Sequence, residues 1–368
     1  MIPRILLCLV ITVIMALGLN AFLVCHAKGR PITGLRFLLC RGLVKTGVIL
    51  ISVIGFFTYP SYRYLTLEDV NHYEEYLGSQ EEQRRYQDPS TPEHPDVPKR
   101  GPGRASAVVC NHIGFMEILN LIVSPLAPSF TPKDDVAKIP IVNGIADSIQ
   151  CMYVARAGTP EAKDALVRQF IERQKAIECG NEGYAPLCIF AEATTTNGTR
   201  IIPFKRGAFE GMRTVIPSFY SITAGQISPT YEIIDLVALL MLIFSSLYFR
   251  FGKINIMPEF VPNPTMLEKH DDKGIEPWQI YAWCVRDAIS KHSGIPVLDE
   301  KLSLKDKLKF EALMNGKADR VEINGHYFEY DDDEPVQEIK ISARSNIRRK
   351  STITYNWSES DIGGINRL

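Results

Sequence analysis

The chain has 368 residues, 46% hydrophobic and 23% charged, enough for one ordinary domain with membrane and tail segments added. Its 41 Lys and Arg nearly cancel 42 Asp and Glu, so a nucleic-acid partner has no electrostatic support. The 8 cysteines are scattered with no CxxC pair, which argues against a zinc site or disulfide framework and for a reducing compartment.

Ile5–Cys25 is apolar for about 21 residues, a bilayer-spanning length, with Arg4 before it and His26, Lys28 and Arg30 after. No small-x-small cleavage site precedes the basic cluster, so an uncleaved anchor is preferred over a signal peptide. Leu35–Tyr59 is interrupted by Arg36, Arg41 and Lys45, and only Gly47–Tyr59 is free of charge. An interfacial or re-entrant helix with snorkelling basic residues fits that pattern better than a straight crossing. Residues 1–60 are therefore expected to form a membrane anchor and interfacial helices. Residues 61–104 turn acidic and Gln-rich, then run through repeated Pro and Gly to Arg104, which predicts a linker with His72 and His94 in solvent.

From Ala105 strands and helices alternate. Strands are predicted at Ala105–Asn111, Ser129–Thr131, Cys151–Ala155, Leu187–Glu192 and Val215–Tyr220, with helices from Phe115 and over Pro160–Glu178. The second helix starts on Thr159-Pro160-Glu161 and ends at Gly180. The pattern argues an α/β fold, a mostly parallel sheet flanked by helices and preceded by N-terminal membrane helices. Polar sites in such sheets gather beyond the carboxyl ends of the strands. Asn111-His112 and Glu192 both end apolar strands and are expected to converge there. Ile233–Phe249 is apolar except for Asp235, and hydropathy alone leaves a third span open. Glu276–Ile289 reads as an amphipathic helix and Leu302–Met314 as a Lys-rich segment. The acidic run Asp331–Glu334 lacks EF-hand spacing and reads as a solvated loop. Arg348-Arg349-Lys350-Ser351 is a phosphosite or headgroup-contact candidate, and the last four residues match no retention signal.

His112 and Glu117 stand five apart. On a straight helix that spacing separates two side chains by roughly 140°, so they meet only if His112 lies in the turn before the helix. Asn111 and Gly114 suggest that turn. So arranged, the carboxylate fixes the imidazole tautomer through one ring nitrogen while the other accepts a proton.

The second chemistry-bearing block is residues 187–209, LCIFAEATTTNGTRIIPFKRGAF. Together NHxxxxE and FxExTTTNG…FKRGAF resemble the glycerolipid acyltransferases, the superfamily of lysophosphatidate, lysophosphatidylcholine and lysophosphatidylethanolamine acyltransferases. Intermediate landmarks agree: Lys133, Pro140, Gly144, the run CMYVAR ending at Arg156, Val215-Ile216-Pro217 and INIMPEFVPNP over 254–264. The resemblance implies an acyltransferase domain over 105–265, with 266–314 a helical C-terminal extension and 315–368 a polar tail. It also makes Ile233–Phe249 a domain helix lying on or dipping into the membrane.

By the resemblance, His112 is the base and Glu117 its orienter, and an acceptor hydroxyl attacks the acyl-CoA thioester directly. No cysteine or serine nucleophile is needed. Glu192, Thr194 and Thr195 correspond to the acceptor-binding loop, and Lys133, Arg156, Lys205 and Arg206 to phosphate contacts. No cofactor or metal is implied; acyl-CoA is a substrate. The implied partners are acyl-CoA, a lysophospholipid and membrane lipids, in the endoplasmic reticulum first and a mitochondrial membrane second. Thr195 stands where lysophosphatidate enzymes carry Arg, which suits a phosphodiester headgroup better than a phosphomonoester.

Two departures from the family pattern are Glu117 for Asp and Ala193 for Gly. They motivate a second reading, a catalytically degraded homologue kept as a structural subunit of a larger membrane complex. A third, a lipid-binding module without chemistry, would not need His112 beside a carboxylate. Thr194–Gly198 and Phe204-Lys205 remain as a set, which favours the enzyme. Ala193 is accordingly expected at ordinary negative φ, with Glu192 pointing into a pocket near His112.

Overall fold

The computed structural model describes residues 2–26, 30–56, 58–132, 134–138, 140–154, 160–180, 183–223, 236–245, 251–270, 275–298, 304–315, 317–323, 326–331 and 334–339. Two compact units emerge, Met1–Glu232 with Leu240–Glu300, and Ile233–Leu239 with Lys301–Leu368.

The first unit opens with two apolar helices, α1 (Ile2–Leu23) and α2 (Gly34–Phe56). Both are long and apolar enough to cross a membrane. The second helix therefore has the length for a crossing as well as the basic residues that suggested an interfacial position. The basic residues fall in its first half without interrupting it, and 23 residues of helix reach about 35 Å. The helices sit close because glycines receive the partner's side chains: a Cβ at Gly47 would lie 2.5 Å from Met15 Sδ. Arg4 ties their ends together, its Nε donating to the Ile54 carbonyl at 3.0 Å. Carbonyls at a helix C-terminus have no partner in their own helix, so the guanidinium serves as their donor.

Next come β1 (Ser61–Tyr64), α3 (Tyr73–Leu77) and α4 (Gln80–Gln87). Here the linker expectation fails. β1 joins the main sheet at its edge, and Tyr73, Tyr76 and Leu77 are buried in the main core. Polar composition hid three large apolar groups on one short helix. His72 is half-buried, its Nε2 3.2 Å from the Ala288 carbonyl, rather than solvated.

The rest of the unit is β2 (Ala107–Cys110), α5 (Met116–Val123), α6 (Pro140–Ser148), α7 (Pro160–Cys179), β3 (Leu187–Ile189), β4 (Val215–Thr223), the part of α8 (Leu236–Ser245) from Leu240 on, β5 (Phe251–Ile256), α9 (Pro264–Glu268) and α10 (Pro277–Ser293). The sheet has 5 strands in the order β1-β5-β4-β2-β3. All neighbours are parallel except β4 and β5. The α/β reading with a mostly parallel sheet therefore holds. Ala107–Cys110 and Leu187–Ile189 are buried throughout, as continuous apolar runs in a parallel sheet should be. Two predicted strands shrink: Ser129 makes only an isolated bridge to Leu187, and Val154 pairs with Pro132 by one backbone bond. Of the predicted apolar helix 233–249, the described part is α8; its Phe244 packs on Phe56 with ring centroids 5.4 Å apart.

α10 belongs to the main core, with Tyr281, Cys284, Val285, Ala288 and Ile289 buried to 0% exposure, so it is not part of an extension. The second unit holds α11 (Leu304–Met314) and a three-stranded antiparallel sheet of β6 (Arg320–Ile323), β7 (His326–Asp331) and β8 (Glu334–Ile339). Leu313 and Val321 are buried there beside Phe310 and Phe328. The tail expected to be merely polar thus contributes strands up to Ile339. Short alternations such as Val321 and Ile323 carry them between charged neighbours.

Candidate active site

β2, β3 and β4 run parallel, so their carboxyl ends open on the same side of the sheet. Beyond Cys110, Asn111 takes over the pairing with its side chain. Its Oδ1 accepts from the Tyr220 N–H at 2.8 Å and its Nδ2 donates to the Tyr220 carbonyl at 3.4 Å. The main chain is thereby released from the sheet one residue before His112. Sequence reading saw Asn111 only as the residue that ends a strand.

α5 begins at Met116, so His112 does lie in the turn before it, as the five-residue spacing requires. His112 Nδ1 is 2.6 Å from Glu117 Oε1. The same oxygen accepts the N–H groups of Ile113 at 3.0 Å and Gly114 at 2.9 Å. Glu117 is fully buried, while the His112 side chain keeps 13% exposure. Glu117 Oε2 is buried with no partner among the described residues. An ionised carboxylate only accepts, so Nδ1 carries the proton and Nε2 presents a lone pair. The ring is also held flat on Phe190, with centroids 3.9 Å apart and planes 11° from parallel. No periodicity or motif announces that stack.

The second block closes on the first across 80 residues. Glu192 Oε2 accepts the His112 N–H at 2.7 Å, and the Thr196 N–H donates to the His112 carbonyl at 2.8 Å. Glu192 Oε1 accepts the Ile202 N–H at 3.2 Å. The convergence of Asn111-His112 with Glu192 is therefore real. The expectation that Glu192 points into a pocket is not: it is 1% exposed, and both oxygens are engaged by the protein's own backbone. An Asn197-Gly198 turn completes the loop. Gly198 has φ 74°, and a Cβ there would come 2.9 Å from Ile113 Cγ2, so glycine lets this turn pack beside the His112 loop.

Ala193 overturns a second expectation. Its φ is +58°, in the left-handed region. The Ala193 N–H closes a tight turn onto the Phe190 carbonyl at 2.9 Å, and Lys205 N–H returns to the Ala191 carbonyl at 2.8 Å. A chain folding back this sharply after β3 calls for a left-handed residue, and alanine costs roughly 1 kcal/mol there relative to glycine. The strained loop is nonetheless tied to the first block by the His112 N–H to Glu192 and the Thr196 N–H to the His112 carbonyl.

Thr194 and Thr195 are half-buried in that loop, and Lys205 is exposed at the turn into the short 3-10 helix over Arg206–Ala208. Arg206 pairs with Asp164. Lys133 and Arg156 lie outside the described residues. Burial pushes the Cys110 and Cys188 thiols well above their ordinary value, with the Glu117 charge adding to both, so neither is a nucleophile. Among the described residues no cluster of three His, Cys, Asp or Glu could hold a metal. What remains is an imidazole oriented through its Nδ1, a buried carboxylate behind it and hydroxyls on the adjoining loop. That set can take a proton from an alcohol.

The family profile described as Acyltransferase matches residues 93–225. Lysophospholipid acyltransferase LPEAT1 of Arabidopsis thaliana is 29% identical over 216 residues, 58% of this chain and 51% of that protein. Lysophosphatidylcholine acyltransferase of Drosophila melanogaster is 27% identical over 194 residues, 52% of this chain and 34% of that protein. The chain thus spans about half or less of these relatives' length. Among solved structures, the 1-acyl-sn-glycerophosphate acyltransferase PlsC of Thermotoga maritima aligns with TM-score 0.43 and 15% identity, over 80% of this chain and 96% of that one. The profile spans both chemistry-bearing blocks, so residues 93–225, which hold His112, Glu117 and Glu192, are similar to an acyltransferase domain.

Proposed function

We propose that the protein is a membrane-bound lysophospholipid acyltransferase that moves an acyl group from acyl-CoA to a lysophospholipid hydroxyl. The observation that carries the reading is the 2.6 Å contact between His112 Nδ1 and the buried Glu117 carboxylate, which leaves Nε2 as the base. In the reaction, Nε2 takes the acceptor proton as the hydroxyl oxygen attacks the thioester carbonyl. The tetrahedral intermediate then expels the CoA thiolate, to which the imidazolium returns the proton. Glu117 steadies the imidazolium without accepting its proton. The acceptor headgroup lies against Thr194 and Thr195, with Lys205 and Arg156 for its phosphate. The neutral Thr195 favours a phosphodiester. The two apolar helices support a membrane location; the endoplasmic reticulum, ahead of a mitochondrial membrane, is part of the proposal.

The left-handed Ala193 favours the other reading, a degraded homologue retained as a structural subunit. Against it stands the pairing of the His112 ring with the buried Glu117 carboxylate, which a subunit without chemistry has no need to keep. The test is an acyl-CoA assay of the purified chain against a panel of lysolipids. Turnover abolished in His112→Ala supports the enzyme; no turnover with any lysolipid supports the subunit. The intact chain should also stay with membranes in alkaline carbonate, and its release would remove the membrane-bound part of the reading.

A further inference from the structure

A cavity of about 530 Å³ lies where α1 ends, bordered by α6 and α7. None of the residues 111–117 or 190–205 lines it. Its size is that of a small-ligand site.

The walls carry both signs of charge. Arg30 and Arg173 supply positive groups, and Asp147 a negative one. Arg173 is held in place, its guanidinium carbon 3.3 Å from the Tyr184 ring centroid and its Nη2 donating to the Gln150 carbonyl at 2.9 Å. Asp147 Oδ1 lies 3.2 Å from the Tyr153 hydroxyl. α1 and α6 end beside the cavity, at Leu23 and Ser148, so partial negative charge from two helix C-termini reinforces Asp147. Leu23 and Val24 add an apolar edge that continues the long apolar face of α1.

These features exclude simpler ligands. A divalent cation finds no group of three ligating side chains among the described residues. A plain anion satisfies the arginines but leaves Asp147 and two helix carbonyl ends opposing it. A molecule with a phosphate, an amine and an attached hydrocarbon matches every wall. We propose that this cavity binds the headgroup of a zwitterionic phospholipid. The phosphodiester meets Arg30 and Arg173, the amine meets Asp147, and the glycerol end rests on Leu23 and Val24. The site is separate from His112 and does not depend on the acyl-transfer reading.

The test is calorimetric titration of the full chain in nonionic detergent. The probes are dihexanoyl-phosphatidylcholine below its micellar concentration, its monohexanoyl lyso form, dihexanoyl-phosphatidylglycerol and inorganic phosphate. Phosphatidylcholine should bind saturably at one site, phosphatidylglycerol at least tenfold more weakly, and phosphate not at all. Asp147→Asn should weaken phosphatidylcholine at least tenfold and leave phosphatidylglycerol unchanged or tighter. Arg30→Gln should weaken both lipids severalfold; because Arg30 is exposed, the fold should tolerate this change. Both acyl forms share the headgroup: diacyl binding at least as tight as lyso binding supports a site for bilayer lipid, and binding of the lyso form alone overturns it. The proposal is also overturned by non-saturable binding, by phosphatidylglycerol or phosphate binding as tightly as phosphatidylcholine, or by indifference to both Asp147→Asn and Arg30→Gln.

Discussion

Glu117 and Glu192 are both glutamates buried to 1% exposure or less at the carboxyl end of the same sheet, and both bond to His112. Glu192 spends its two oxygens on backbone N–H groups, of His112 and of Ile202, and so joins chain segments. Glu117 gathers three donors on one oxygen, an imidazole among them, and leaves the other without a partner. A buried carboxylate that accepts backbone amides from two chain segments holds those segments together. One held incompletely satisfied against a titratable ring stores charge where a proton arrives. Glu178, at the opposite end of the sheet, also joins segments, but through an ion pair: it accepts from the Arg213 guanidinium and from the Thr214 N–H, each at 3.0 Å.

The largest expected effect breaks the functional member of the pair. His112→Ala should lower turnover roughly 10²–10⁴-fold with expression and membrane association unchanged. Glu117→Gln should come close to it, and Glu117→Asp, the usual family residue, should keep substantial activity. Near wild-type turnover of His112→Ala in a steady-state assay would dismiss the assigned base.

Glu192→Ala acts through structure. It leaves two buried N–H groups without partners, each worth about 1–3 kcal/mol, so the melting temperature and turnover should fall together. A loss of turnover with unchanged thermal stability would instead make Glu192 a substrate contact and erase the contrast with Glu117.

Thr195→Arg probes the loop that Glu192 holds. Acceptor preference should move several-fold from lysophosphatidylcholine or lysophosphatidylethanolamine toward lysophosphatidate, measured as a ratio of kcat/KM values. A wild type that already prefers lysophosphatidate contradicts the headgroup assignment.

Ala193→Gly is the smallest. Relief of the left-handed alanine should raise stability by up to about 1 kcal/mol, with little change in rate. Denaturant melts and turnover read both. A several-fold gain in rate would show that the strain reaches the chemistry and that the site has begun to drift.

Some of this was legible in the order of residues. Apolar runs marked β2, β3 and β4, and the five-residue spacing placed His112 before α5 rather than on it, because helical periodicity permits nothing else. The same local logic failed where partners are distant. Tyr73, Tyr76 and Leu77 sit among polar neighbours, and only their burial in the main core reveals 61–104 as part of the domain. Asn111 looked like a strand breaker, whereas Tyr220 supplies it with a backbone to pair with.

The sequence by itself determined the strand–helix alternation, the apolar lengths of α1 and α2, and the chemical types at His112, Glu117, Glu192 and Thr195. These depend on side-chain character and local period, which the chain carries in one dimension. Only the tertiary structure decided that Glu192 joins the backbone of His112 to that of Ile202, that Phe190 backs the imidazole, and that Ala193 turns left-handed. Each of those is settled by contacts made after the chain has folded back on itself, and a buried carboxylate takes its role from whichever donors the fold brings within 3 Å or so of it.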